Sequence, residues 1–264
     1  MISFTSGQVE AWIALYLWPF VRILALFSSA PLLYHRSVPM RVKVGLSLLI
    51  TIIVVPALPA AALGPAATPA GLSAGNAAWL LVQQLLVGFA IGFALQMVFA
   101  AFEIAGDLLG LQMGLSFAAF VDPQNAHQSP LIGSFIGLMA TLVFLAMDGH
   151  LMMIAGIVES FRTIPVGGAT PGPDNLQALA LAGGEMFRVG LHLALPVLAT
   201  MLILNLALGV LARAAPQLNI FAVGFPATIL IGLAALALIM PLLGPFLEGS
   251  LHRGLAGAFA LVGR

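Results

Sequence analysis

Cysteine is missing altogether, which excludes disulfides, thiol catalysis and cysteine metal sites while leaving the redox compartment open. Charge is almost as scarce. Only 7% of the 264 residues are Asp, Glu, Lys or Arg, against roughly a quarter in a soluble domain. Nine acids balance nine bases, and no basic patch is dense enough to select a nucleic acid. The start, Met1 to Glu10, has no basic segment ahead of its first apolar run, so no cleavable signal peptide is expected. Nucleophile elbow, phosphate loop, dinucleotide fingerprint and zinc-helix pair are all absent. His127 and His150 stand apart from further ligands, so no metal, no cofactor and no catalytic residue is assigned.

What remains is hydrocarbon. The chain is 61% hydrophobic with a mean hydropathy of +1.13, a membrane-class composition. A span needs roughly 20 mostly apolar residues. Ala11 to Leu33, interrupted by Pro19 and Pro31, Val44 to Leu63, Ala77 to Phe102, which runs directly into an acidic, glycine-rich stretch, Ser129 to Met147, Val189 to Ala212 and Ile220 to Leu247, broken by Pro226 and Pro241, supply the long runs, whereas Leu151 to Phe161 is short enough to suit a re-entrant or buried segment. Gly64 to Asn76 and Val166 to Leu176 are connectors rich in glycine and proline. The connector His35 to Lys43 carries three of the nine basic residues and is predicted to face the cytoplasm. Beyond it, charge is too sparse to specify sides, as expected of a chain that folds partly against protein partners. The fold class is all-α.

One stretch departs from what lipid tolerates: Glu103-Ile-Ala-Gly106-Asp107-Leu-Leu-Gly110-Leu-Gln112-Met113-Gly114-Leu-Ser-Phe117-Ala-Ala-Phe120-Val-Asp122-Pro123. Glycine at every fourth position gives a smooth helical face that lets another backbone come close. The same glycines each cost about 0.8–1.0 kcal/mol of helix stability relative to alanine, and Asp122-Pro123 ends any helix. Two readings follow. The segment is a plug or lining in a passage, or it is a tight helix contact followed by a polar loop. Glu103, Asp107 and Asp122 suit a proton or cation path, or they mark a polar interface.

Other polar groups sit inside apolar runs. A lone arginine at mid-bilayer costs on the order of 2.5–3.5 kcal/mol, so Arg22 is expected to face protein. Glu185 and Arg188 neutralise each other three residues apart, and Asn205 suits an interhelical hydrogen bond. These residues, with Arg213, are predicted at helix or subunit contacts. Gln83, Gln84 and Gln96 require polar partners for one side of the third run, where Gly88 and Gly92 repeat the close-packing spacing.

The stretch from Gly106 to Pro123 resembles the FliR family of flagellar type III export-gate proteins, related to the SctT proteins of virulence secretion. Three further segments share the resemblance: Pro31 with Val38-Pro39-Met40-Arg41-Val42-Lys43; Asp148-Gly149-His150-Leu151 leading to Ser160-Phe161 and Pro165; and Asn205 to Phe221 with Gly209, Arg213, Pro216, Gln217 and Asn219. The family often carries Glu where Asp107 stands, which keeps the charge. The resemblance implies a non-enzymatic subunit of the flagellar export gate in the bacterial inner membrane, at the flagellar basal body. It would help form and close the channel for unfolded flagellar proteins. Implied partners are FliP-type and FliQ-type gate subunits, FlhB-type and FlhA-type export proteins, and the secreted polypeptides. Helical hairpins would pack in a multi-subunit spiral. A FliP-like part, 1–182, would carry the plug-like stretch 103–123, followed by a FliQ-like helical pair and tail, 183–264. The alternative is a small-solute or ion transporter or channel subunit, which should show inverted repeats with paired broken helices; an inert membrane scaffold would leave the plug-like stretch without a purpose.

Overall fold

The computed structural model describes residues 6–34, 37–64, 73–115, 131–168, 173–217 and 219–262. Among them every regular element is helical: α1 Ser6–Ser29, α2 Pro31–Tyr34, α3 Met40–Val54, α4 Ala60–Leu63, α5 Ala74–Gln112, α6 Leu131–Ala146, α7 Gly149–Thr163, α8 Pro173–Ala214, α9 Ile220–Ile239 and α10 Leu243–Val262. Five helical stretches are long and apolar enough to cross a membrane, or six if α6 and α7 together count as one broken span. The all-α expectation holds. Several boundaries do not. The third run passes into the acid and glycine stretch as expected, as one helix through Gln112, but α8 begins at Pro173, inside the expected connector. In the last run the expected break at Pro241 is present as a single 3-10 turn, Met240–Leu242, because proline has no N–H to donate to the preceding turn, whereas Pro226, also expected to break the run, lies inside α9. At 1.5 Å per residue the 39-residue α5 and 42-residue α8 are about 58 and 63 Å long, roughly twice a 30 Å hydrocarbon core.

The chain divides into two compact units. The first holds 1–97, 148–182 and 251–264; the second holds 98–147 and 183–250.

In the first unit α3 buries one face and leaves an apolar face open. Its buried face is Ser47, Ile50, Thr51 and Val54, while Leu48, Leu49, Ile52 and Ile53 are exposed. The buried hydroxyls are satisfied within the helix itself, Ser47 Oγ donating to Lys43 O and Thr51 Oγ1 to Ser47 O, each at 2.6 Å. Small polar side chains can therefore pack inward without leaving an unpaired group. Gly88 and Gly92 let α1 approach α5, as their spacing predicts. A Cβ on Gly88 would lie 2.7 Å from Ala25 Cβ and on top of the Arg22 carbonyl, and one on Gly92 would strike the Ser29 hydroxyl.

Arg22 organises this unit's polar interior. It is completely buried. Nε donates to Gln84 Oε1 at 2.7 Å, Nη1 to Ser160 O at 2.9 Å and to Ser160 Oγ at 3.2 Å, and Nη2 to Ile164 O at 3.0 Å. The guanidinium carbon also lies 4.2 Å from the centre of the Phe161 ring. Two of these acceptors are carbonyls at the end of α7, where the helix dipole is negative; Ser160 O also accepts from Ile164 N, whereas Ile164 O lies past the last intrahelical donor. The positive charge is thus held by a helix terminus, an amide and a ring face. Gln84 Nε2 passes the network to Gln83 Oε1, and Gln83 clamps the following turn through Gly167 N and Gly168 O, all at 2.9 Å. Val166 N donates to Ala62 O at 2.9 Å and pins the same turn.

Candidate functional site

The candidate site lies in the second unit, where α5 carries the glycine and acid stretch to its end. α5 meets α6 through facing glycines. A Cβ on Gly106 would fall 2.6 Å from Gly133 Cα, 2.8 Å from Ile132 O and 2.9 Å from Gly133 N, so the two backbones are in direct contact. Both acids lie across this seam. A Cβ on Gly133 would collide with the Asp107 carboxylate, and one on Gly137 would lie 3.1 Å from Glu103 Cγ. No ion pair among the described residues reaches either carboxylate. Glu103 stays exposed and Asp107 half-buried, with aromatic and small-residue contacts on either side of them. Phe99 packs edge-on against Phe144 at 5.4 Å and Phe102 against Phe246 at 6.1 Å, while Gly190 of α8 admits Ala101 O and Ile104.

Gly110 differs from Gly106 although it lies one turn along the same stripe. A Cβ there would meet only Ile132, at an ordinary 3.7 Å. Of the two readings of the stripe, the close approach is local to Gly106, and α5 stays helical past both glycines. Packing against the α6 backbone offsets the low helix propensity of the segment.

Gly114 ends the helix. It takes φ +78°, its N–H donates to Leu111 O, and Leu115 N donates to Gly110 O, both at 3.1 Å. This paired arrangement around a left-handed residue is the Schellman cap, and only glycine adopts that backbone freely. The turn is also held from α9. Met113 is 1% exposed, and a Cβ on Gly232 would lie 2.5–2.9 Å from its Cγ, Sδ and Cε, so the methionine lies along the bare backbone at Gly232. One turn earlier, Thr228 Oγ1 donates toward Met113 O at 3.3 Å and Phe225 O at 2.9 Å. Thr228 and Gly232 did not stand out in the sequence. A single glycine and threonine in an otherwise apolar run read as ordinary membrane-helix composition.

Of the plug residues expected from sequence, Gly106, Asp107, Gly110, Gln112, Met113 and Gly114 come together at the end of α5. Leu111 and Gln112 are exposed there. Phe117, Phe120 and Asp122 lie outside the described residues. Of the expected contact residues, Arg22 is buried inside the first unit. The other four are not covered by the described helices. Glu185 and Arg188 are exposed and pair with each other through both guanidinium-side contacts, and Asn205 and Arg213 are exposed on α8. The physical reason is that α8 packs against few of the described residues, whereas α5 is mostly buried.

Apolar helices of spanning length and a glycine-packed helix seam mark a helical protein of the membrane class. The model for bacterial export proteins, family 1, matches residues 13–254, and the chain belongs to this family, the FliR family of flagellar export proteins. It is 46% identical to the flagellar biosynthetic protein FliR of Escherichia coli (strain K12) over 248 residues, 94% of this chain and 92% of the relative. The FliR proteins of Pectobacterium carotovorum subsp. carotovorum, at 46% over the same shares, and Bacillus subtilis (strain 168), at 35% over 85% of each chain, are similar along nearly the whole length.

Proposed function

We propose that this chain, an export-gate subunit of flagellum biosynthesis, closes the gate with the stretch 103–123 and is displaced from that position by the secreted polypeptide. The observation that carries the reading is the end of α5. A helix is capped by Gly114 and held by α9 directly ahead of the Phe117 to Phe120 segment, which suits a plug with a defined root. Gly106 and Asp107 fix the helix against α6, and Phe117, Phe120 and Asp122 form and border the seal.

In this reading the subunit acts mechanically, without catalysis, in the inner membrane at the flagellar basal body. FliP-type and FliQ-type subunits cover the faces that the chain leaves open, among them Leu202, Ile203, Leu206 and Val210 of α8, each more than 60% exposed. Hydrocarbon-like surface of that extent, interrupted by Glu185, Arg188, Asn205 and Arg213, suits protein neighbours better than lipid alone. Residues 1–182 correspond to the FliP-like part and 183–264 to the FliQ-like part, and FlhB-type and FlhA-type proteins deliver the secreted chains.

Deleting Ser116–Phe120 leaves the cap and α9 contacts intact and is expected to raise ion leakage through an assembled complex. Affinity purification in mild detergent, with partner identification, reports assembly in the same cells. A fully assembled complex with no added leak refutes the plug; loss of the complex instead supports a packing role for the segment.

A further inference from the structure

We propose that Thr228 and Gly232 of α9 form a releasable latch for Met113, which positions the root of the plug and must let go before a polypeptide passes. This rests on the plug reading and deepens it by naming positioning residues on a different helix.

The geometry is specific. Any residue other than glycine at 232 would place its Cβ within 2.9 Å of Met113 Cγ, Sδ and Cε, closer than real Cβ contacts allow, so the methionine side chain occupies the space where a side chain would be. Met113 reaches near-complete burial in this way. The adjoining polar contact sits one turn away, where Met113 O accepts from the Thr228 hydroxyl.

The chemistry suits release as much as closure. A hydroxyl has one proton, and Thr228 has a nearer acceptor in its own helix, Phe225 O at 2.9 Å against 3.3 Å for Met113 O. When Met113 leaves, the hydroxyl keeps a partner. The cap at Gly114 is satisfied by Leu111 and Gly110 of α5 itself, so the turn can move away as a unit without breaking its own hydrogen bonds. What holds it is dispersion between an adaptable thioether and a backbone, together with one shared hydrogen bond. Among the described residues no ion pair holds the turn.

Because the chain has no cysteine, a pair introduced as Met113→Cys and Gly232→Cys reports this contact alone. Met113 Cγ is one bond from its Cβ, so the two Cβ atoms are no more than about 4 Å apart, within the roughly 3.5–4.5 Å that a disulfide spans. In assembled gates in membranes, oxidation should abolish maleimide labelling of the pair, stop export without raising ion leakage, and allow export to recover on reduction. Failure of the pair to form in the assembled gate, or export that continues with it formed, overturns the latch. Should the double cysteine prevent assembly, a size exchange takes its place: Gly232→Ala should raise leakage, and adding Met113→Ala should return it toward the parent value. Equal leakage with and without the second change overturns the latch. The plug reading fails separately, through an assembled Ser116–Phe120 deletion that does not leak, whereas a leaking deletion with an ineffective disulfide removes only the latch.

Discussion

Gly106 and Gly110 occupy the same stripe of α5, yet alanine should have opposite effects at the two positions. At Gly106 the new methyl would sit 2.6 Å from Gly133 Cα and 2.8 Å from Ile132 O. Both are backbone atoms that cannot rotate away, so α5 and α6 must separate by about 1 Å to reach ordinary contact, and such overpacking costs about 1–3 kcal/mol. Replacing glycine in a helix returns about 0.8–1.0 kcal/mol, leaving Gly106→Ala destabilising by up to about 2 kcal/mol. At Gly110 the methyl meets Ile132 at 3.7 Å, so the propensity gain stands alone and Gly110→Ala should stabilise by about 1 kcal/mol. Thermal unfolding of the purified complex in mild detergent, with the two variants and the parent side by side, measures the difference. Export assays add a second axis: if Gly110 serves by letting the helix unwind, Gly110→Ala impairs export despite raising stability. Equal shifts of the same sign at both positions would refute the argument that backbone contact at Gly133 separates them.

Two further outcomes follow from single residues. Gly114→Ala forces a side chain into the left-handed region at φ +78° and should cost about 1–2 kcal/mol, whereas Gly114→Asn should cost less because its short amide tolerates that region; the order of melting temperatures checks it. Arg22→Lys keeps the charge but not the fork that reaches Gln84, Ser160 and Ile164 together. Each buried acceptor left dry costs about 1–3 kcal/mol, so the yield of assembled complex should fall even though the substitution is nominally conservative, and a parent-level yield would refute that.

The sequence by itself determined the class. Scarce charge and long apolar runs leave helices as the form that satisfies the backbone in hydrocarbon, and the motifs around Asp107, Asp148 and Asn205 carried the family resemblance. Arg22 was legible for a similar reason: an isolated charge in an apolar run has to find protein. The tertiary structure decided which glycine does what. Gly106, Gly110 and Gly114 look equivalent as a period of four, but one meets a backbone, one meets an isoleucine side chain and one turns left-handed to end the helix. That distinction depends on what lies opposite each residue, which local periodicity does not encode. The Gly114 cap also relies on hydrogen bonds that exist only once the helix stops. For the same reason the seat of Met113 was invisible: Thr228 and Gly232 are more than 110 residues away along the chain, and only folding brings them to it. Glu185, Arg188, Asn205 and Arg213 are the converse case. Their chemistry was plain in the sequence, but their exposure on α8 was not, because it depends on which helices pack there.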